Sequence, residues 1–210
     1  MTPTNPAAVS SHLDILRARV AEIRERARKQ FAHGAGGGQT ATTISDGMRA
    51  FVVEQWLEAL TIVAPEVAQK LERHSAIVAV GGTGRGELAP FSDIDIMFLH
   101  EASVANEFNP VVRRCQHSLY DALLDLGCSV RTPKDAIVMA VDSTVATSLI
   151  EMQPLWGSIE LVASMKRMFE RKVVRSRRRT FFESSSASTI ASFGVRTLRP
   201  NSSCASYKLC

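Results

Sequence analysis

The stretch from Ser75 to Leu99 constrains this chain more than any other part of it. Ser75 to Val80 is a continuous apolar run that ends at glycines, and Ile94 to Leu99 forms a second such segment. Short runs of this kind suit strands buried on both faces. Between them lies Gly81-Gly82-Thr83-Gly84-Arg85-Gly86-Glu87-Leu88-Ala89-Pro90-Phe91-Ser92, and the second strand is entered through Asp93-Ile94-Asp95. Residues i and i+2 of a strand point to the same face, so Asp93 and Asp95 should project together and Ile94 away from them. Two carboxylates that close repel each other unless a cation sits between them. Mg²⁺ takes hard oxygen ligands and is usually shared between carboxylates and substrate phosphates. Asp93 and Asp95 are therefore the expected metal ligands and the expected catalytic pair.

The upstream glycines point to the partner of that metal. Glycine lets the backbone approach a ligand closely and adopt positive φ, and successive backbone N–H groups can then surround phosphate oxygens. The glycine loop is expected to cradle phosphate oxygens, with Arg85 adding charge and Ser92 a hydroxyl beside the metal. A glycine cluster alone is usually a turn, and an Asp-x-Asp at a strand end is usually a cap or a solvated edge. The two in this order weigh more, because Asp93 and Asp95 stand where an apolar strand would prefer Val or Ile. Such a charged pair has a cost that a ligand would offset. The segment is not a Walker loop, since no Gly-Lys-Ser/Thr closes it. It is not a Rossmann fingerprint either, since the glycines are expected to lead through Pro90 to a strand and not into a helix.

Charge distribution argues against a nucleic-acid groove. The formal net charge is +4, yet residues 171–210 hold nine Lys/Arg against one Asp/Glu, which leaves sixteen basic against twenty acidic residues in 1–170. The body is mildly acidic and the basic excess belongs to the tail. No apolar run is long enough to span a membrane, and a cytoplasmic location is the expectation. Cys115, Cys128, Cys204 and Cys210 form no CxxC pair, and no His stands at zinc-ligand spacing to them. They are read as reduced thiols, two in the core and two in the tail.

The flanking segments read mostly as helix. Leu16, Val20, Ile23, Ala27 and Phe31 recur at steps of three and four, which predicts a helix over 12–32. Residues 33–38 are expected to be a glycine-rich connector. A second helical region is expected over 45–73, capped by Asp46 and divided by Pro65. Pro110 is placed in the first turn of the next helix, which should run to Leu126 and stop at Gly127. Residues 128–130 suit a third strand, 134–141 and 143–153 suit short helices with Asp142 capping the second, and 158–172 suits another helix. From about residue 175 the chain is rich in Ser and Arg with little periodicity, and it is expected to be disordered. The organisation expected is an N-terminal helix and connector over 1–44, a folded domain over 45–172 and a tail over 173–210.

The residues from Gly81 to Asp95 resemble the glycine–Asp-x-Asp segment of the bacterial PII uridylyltransferases, the bifunctional uridylyltransferase/uridylyl-removing enzymes of nitrogen control. Gly127-Cys128-Ser129-Val130-Arg131-Thr132 is similar to a Gly-His-Ser-Val-Arg-Thr segment of that family, with Cys128 in place of His. Asp142 and Thr147-Ser148-Leu149-Ile150-Glu151 are similar to the segment that follows. The resemblance covers roughly residues 13–170. It implies an α+β, DNA-polymerase-β-like nucleotidyltransferase fold, a small mixed sheet flanked by helices. The implied reaction carries UMP from UTP to a tyrosine of the regulatory protein PII, with Asp93 and Asp95 holding Mg²⁺ and Gly81, Gly82, Arg85 and Ser92 holding the triphosphate.

The chain departs from the family at two points. The superfamily usually supplies a third carboxylate from a later strand, whereas 128–130 offers Ser129 and its neighbour Arg131. Asp142 and Glu151 are read as a helix cap and a solvated face, so no base is assigned. The family also continues into hydrolase and sensory domains that have no counterpart here. A truncated chain is expected, with a shifted reading frame near residue 175. Two other readings stay open at this point: a transferase that modifies a small molecule or toxin, and a non-catalytic or unstable fragment that at most binds nucleotide.

Overall fold

A computed structural model of the chain describes residues 6–174, with side chains from residue 12 to residue 173. The tail expected to be disordered, with Cys204 and Cys210, lies outside the described residues apart from its first two positions. The elements run α1 (Pro6–Ala32), α2 (Gly37–Ala59), a 3₁₀ turn (Leu60–Ile62), α3 (Pro65–His74), β1 (Ser75–Ala79), α4 (Gly81–Arg85) and β2 (Ile94–His100). They continue as α5 (Ala105–Asp121), β3 (Leu126–Arg131), α6 (Pro133–Met139), α7 (Ser143–Ile150), β4 (Gln153–Gly157) and α8 (Ile159–Phe169).

The four strands form one mixed sheet in the order β3-β2-β1-β4. Strand β1 is antiparallel to both neighbours, while β2 and β3 run parallel with Asp95 opposite Gly127 and Ile96 opposite Cys128. All five residues of β1 are buried, as expected of a strand covered on both faces. Period-two alternation divides the apolar side chains between two cores. Ile77, Ile94, Ile96 and Phe98 face α1, α2 and α5, with Val20, Val52, Trp56 and Phe108 among the buried partners. Ala76, Val78, Met97 and Leu99 face α6, α7 and α8, with Leu149, Val162 and Met165. The expected α+β architecture, a small mixed sheet between helices, is present. Among the described residues no helix is long and apolar enough to cross a membrane.

The helix boundaries differ from the sequence reading in ways that packing explains. Gly37 and Gly38 start α2 instead of extending the connector, and the break narrows to the residues around Gly34, whose φ is +91°. Asp46 therefore lies inside α2 and not at its cap; its carboxylate faces Arg49 at 3.8 Å. Pro65 does divide the region, standing in the first turn of α3. Pro110 sits inside α5 and not in its first turn, because the helix starts at Ala105. Burial of Phe108, Val111, Val112, Cys115 and Leu119 along one face of α5 offsets the backbone hydrogen bond that proline removes. The helix ends at Asp121, five residues early, and Leu123 adopts φ +59° just beyond it.

Strand β4 was not expected. Its residues pair with β1, and Trp156 comes within 5.2 Å of the Trp56 ring. The Trp56 ring also meets Phe98 at 5.8 Å and Phe108 at 5.4 Å, so one indole joins α2, β2, α5 and β4. Trp56→Ala should lower unfolding stability by roughly 3–5 kcal/mol, the usual cost of emptying so large a buried site; urea titration followed by circular dichroism would measure it.

Candidate active site

Asp95 is the second residue of β2 and is half-buried, whereas Asp93 stands exposed just before the strand and Ile94 is buried on the opposite face. The Asp95 carboxylate lies between two glycines. A Cβ built on Gly81 would approach its Oδ2 to 3.0 Å, and one on Gly127 would come within 2.2 Å of its Oδ1. Gly81 itself has φ +55°. Gly127 was read from sequence as a helix stop. Its actual service is to leave room for a side chain on the neighbouring strand, which only the β2–β3 register decides. Burial raises the pKa of Asp95, and the charge of Asp93 raises it further. The charge of Asp93 thus reaches the Asp95 carboxylate.

The glycine segment is a five-residue helical turn, Gly81–Arg85, closed by Gly86 at φ +78°. The expectation that these glycines would not enter a helix is corrected here, although the turn does lead on through Pro90 to β2. Thr83 at its centre is fully buried, and its Oγ1 accepts a hydrogen bond from the backbone N–H of Asp95 at 2.9 Å. The Gly84 N–H donates to Val80 O at 2.9 Å. A Cβ on Gly84 would lie 2.2 Å from the carbonyl oxygen of Glu151, so the end of α7 packs directly on the turn. Gly82 meets only ordinary contacts, and space alone does not require glycine there.

Arg85 is already engaged. Its Nη1 lies 2.5 Å from Glu151 Oε2 and its Nε lies 3.5 Å from Glu87 Oε2. The hydrogen bond that Arg85 donates to Glu151 is the main reason its pKa is raised. Glu151, read from sequence as a solvated side chain, is therefore an ion-pair partner in the site. Asp142 does cap α7, its Oδ1 accepting from the N–H groups of Thr144 and Val145 at 2.7 and 3.2 Å. Gly81, Arg85, Asp95, Thr144, Ser148 and Glu151 line a cleft of about 440 Å³. Gly82, Ser92 and Asp93 do not line it; Ser92 and Asp93 are exposed on the way into β2. A larger apolar groove of about 850 Å³ runs between α1, α2 and residues 87–91 and includes none of the expected site residues.

Two residues of α2 reach the glycine turn, and sequence reasoning missed both. Arg49 donates from Nε to Thr83 O at 2.8 Å and from Nη2 to Gly84 O at 2.7 Å, with a further short contact from Nη2 to Thr83 O. Ser45, one turn earlier and fully buried, accepts from the Leu88 N–H at 3.0 Å. Nothing local in the sequence marks these pairs, which join residues more than thirty positions apart. Cys128 is half-buried on β3 and free, with Gln116 Nε2 3.0 Å from its sulfur. Cys115 is buried and free, its thiol pushed up to about 12 mainly by burial.

The chemistry of the pair suits a divalent cation. Asp93 and Asp95 offer hard oxygens whose mutual repulsion a cation would relieve, and phosphate and water oxygens complete such a shell. Among the described residues no cluster of three or more His, Cys, Asp or Glu is placed to hold a metal.

Residues 60–132 match the family model described as a nucleotidyltransferase domain. That span takes in α3, β1, the glycine turn, both carboxylates, α5 and β3. The chain carries a nucleotidyltransferase domain. Its curated relatives include bifunctional uridylyltransferase/uridylyl-removing enzymes from several bacteria. The one from Azospirillum brasilense is 42% identical over 99 residues, 47% of this chain and 11% of the relative. That from Erythrobacter litoralis is 35% identical over 138 residues, 63% of this chain and 15% of the relative. The Phenylobacterium zucineum enzyme is 31% identical over 165 residues, 78% of this chain and 18% of the relative. The chain thus spans less than a fifth of the length of these relatives. The four-stranded mixed sheet flanked by helices agrees with a DNA-polymerase-β-like nucleotidyltransferase fold.

Two outcomes follow from the geometry around Asp95. Thr83→Val keeps the shape of the side chain but leaves the Asp95 N–H without its acceptor, and should destabilise the fold by about 1–3 kcal/mol in a denaturant melt, with Thr83→Ser close to wild type. A carboxyl whose folded pKa lies above its unfolded value weakens the fold as pH rises through that range. Asp95→Asn should therefore raise the melting temperature of the metal-free chain at neutral pH, and a lower value in calorimetry would contradict this.

Proposed function

We propose that the domain is a Mg²⁺-dependent nucleotidyltransferase that carries UMP from UTP to a tyrosine hydroxyl of the regulatory protein PII. The observation that carries this reading is the Asp95 carboxylate, set between Gly81 and Gly127 in a cleft with Arg85 and within the electrostatic reach of Asp93. The uridylyltransferase named in the relatives supports the choice of nucleotide, and the Glu87-Leu88-Ala89-Pro90 segment supports the PII type. In this reaction the tyrosine oxygen attacks the α-phosphorus, the α–β phosphoanhydride bond breaks, pyrophosphate leaves with that electron pair, and the phenolic proton passes to water.

In this reading Asp93 and Asp95 hold the cation, which when bound neutralises triphosphate charge. Gly81 and Gly82 allow the backbone close to the phosphates, and Ser92 adds a hydroxyl beside them. Arg85 binds the triphosphate by exchanging part of its bond with Glu151 for phosphate oxygens, since a guanidinium serves either anion. The contribution of these residues is positioning and electrostatic stabilisation of charge that develops on the leaving group.

Incubation with labelled UTP, Mg²⁺ and PII should transfer label to PII. Asp93→Asn and Asp95→Asn should each reduce transfer by at least about 100-fold, the scale on which loss of a charge-stabilising group acts. Label transfer at wild-type rate in both variants would remove the metal role from these residues. Mg·UTP should also raise the melting temperature of the wild-type chain, because a ligand that binds only the folded state stabilises it.

A further inference from the structure

Arg49 is set apart by how it spends its donors. It is half-buried, with a fifth of its side chain exposed. Its nearest carboxylate, Asp46, is largely exposed and stands 3.8 Å away, which is no tight ion pair. Its Nε and Nη2 hydrogen bonds go instead to backbone carbonyls of the glycine turn, at Thr83 and Gly84. The same guanidinium lies about one van der Waals contact from Gly86, where a Cβ would meet Nη2 at 3.5 Å. Ser45, on the same face of α2, holds the Leu88 N–H where the chain leaves the turn. Thr83 is the link between the two sides: its carbonyl receives Arg49 and its hydroxyl receives the Asp95 N–H.

We infer that Arg49 is a positioning residue of the nucleotidyl-transfer site, acting through Thr83 to fix the start of β2 where Asp95 meets the metal-bound triphosphate. The inference rests on the nucleotidyltransferase reading above. It follows from the stereochemistry of the side chain. A guanidinium presents a rigid fork that serves two adjacent carbonyls at once, whereas a lysine ammonium is a flexible point charge that keeps the sign and loses the fork. The turn contains three glycines among its five residues and has little rigidity of its own. Its geometry must come from outside, and Arg49 and Ser45 supply it from the face of a long core helix. A shift of about 1 Å at such a site costs on the order of 100-fold in rate.

The test compares wild type with Arg49→Lys, Arg49→Gln and Thr83→Val in two measurements. Native-state amide exchange of the metal-free chain should show the Asp95 N–H losing protection in all three variants, while Phe98 and Leu99 in the same strand keep theirs. Binding of Mg·UTP, by calorimetry, should weaken at least about tenfold in Arg49→Lys and further in Arg49→Gln. Wild-type protection of the Asp95 amide together with wild-type affinity in Arg49→Lys would overturn the inference. Uniform loss of protection along β2 in every variant would also overturn it, since Arg49 would then only hold the fold together. Failure of the wild-type chain to bind Mg·UTP would sink the nucleotidyl-transfer reading instead, and the amide exchange would still decide whether Arg49 positions Asp95.

Discussion

The site depends on a hydrogen bond that Asp95 makes with its main chain. Its N–H donates to the buried hydroxyl of Thr83, which couples the start of β2 to the middle of the glycine segment. The carboxylate that results is half-buried beside Asp93 in a position that burial and like charge both oppose. Such a placement persists only because the surrounding backbone over-determines it. Gly81 and Gly127 give the side chain its room, β3 fixes the distance to Gly127 through parallel pairing, and α2 braces the turn from behind. Stability is given up locally to hold this carboxylate in one place.

The two cores have separate duties. The one formed with α1, α2 and α5 carries the aromatic cluster around Trp56 and the helix from which Ser45 and Arg49 reach the turn. The other holds α7 against the sheet, so that its carboxyl end packs on Gly84 and presents Glu151 to Arg85. The glycine turn is therefore held from both sides of the sheet, by α2 and by the end of α7. Rigid packing of both layers is what allows a glycine-rich turn to hold one geometry.

The Arg85–Glu151 pair gives the cleft an internal counter-charge. Arg85 also has Glu87 within 3.5 Å, so two carboxylates share its charge. The pair is about half exposed on the arginine side, where ion pairs contribute little to stability. In the proposed reaction that weakness suits a group that exchanges Glu151 for phosphate oxygens.

Sequence by itself determined the strand–glycine–Asp-x-Asp–strand order and the cap at Asp142. Each of these follows from spacing along the chain, because strand and helix periods and capping act over a few residues. Tertiary structure alone decided the rest. Gly127 became the neighbour of Asp95 through strand register, Arg49 and Ser45 became braces of the turn through helix docking, and Glu151 became the partner of Arg85 across sixty-six residues. It also turned 153–157 into a strand, since pairing with β1 and the contact of Trp156 with Trp56 outweighed continuation of α7. The physical reason is the same in every case: contacts between distant segments form only when the whole chain packs, and no local pattern encodes which partner will arrive.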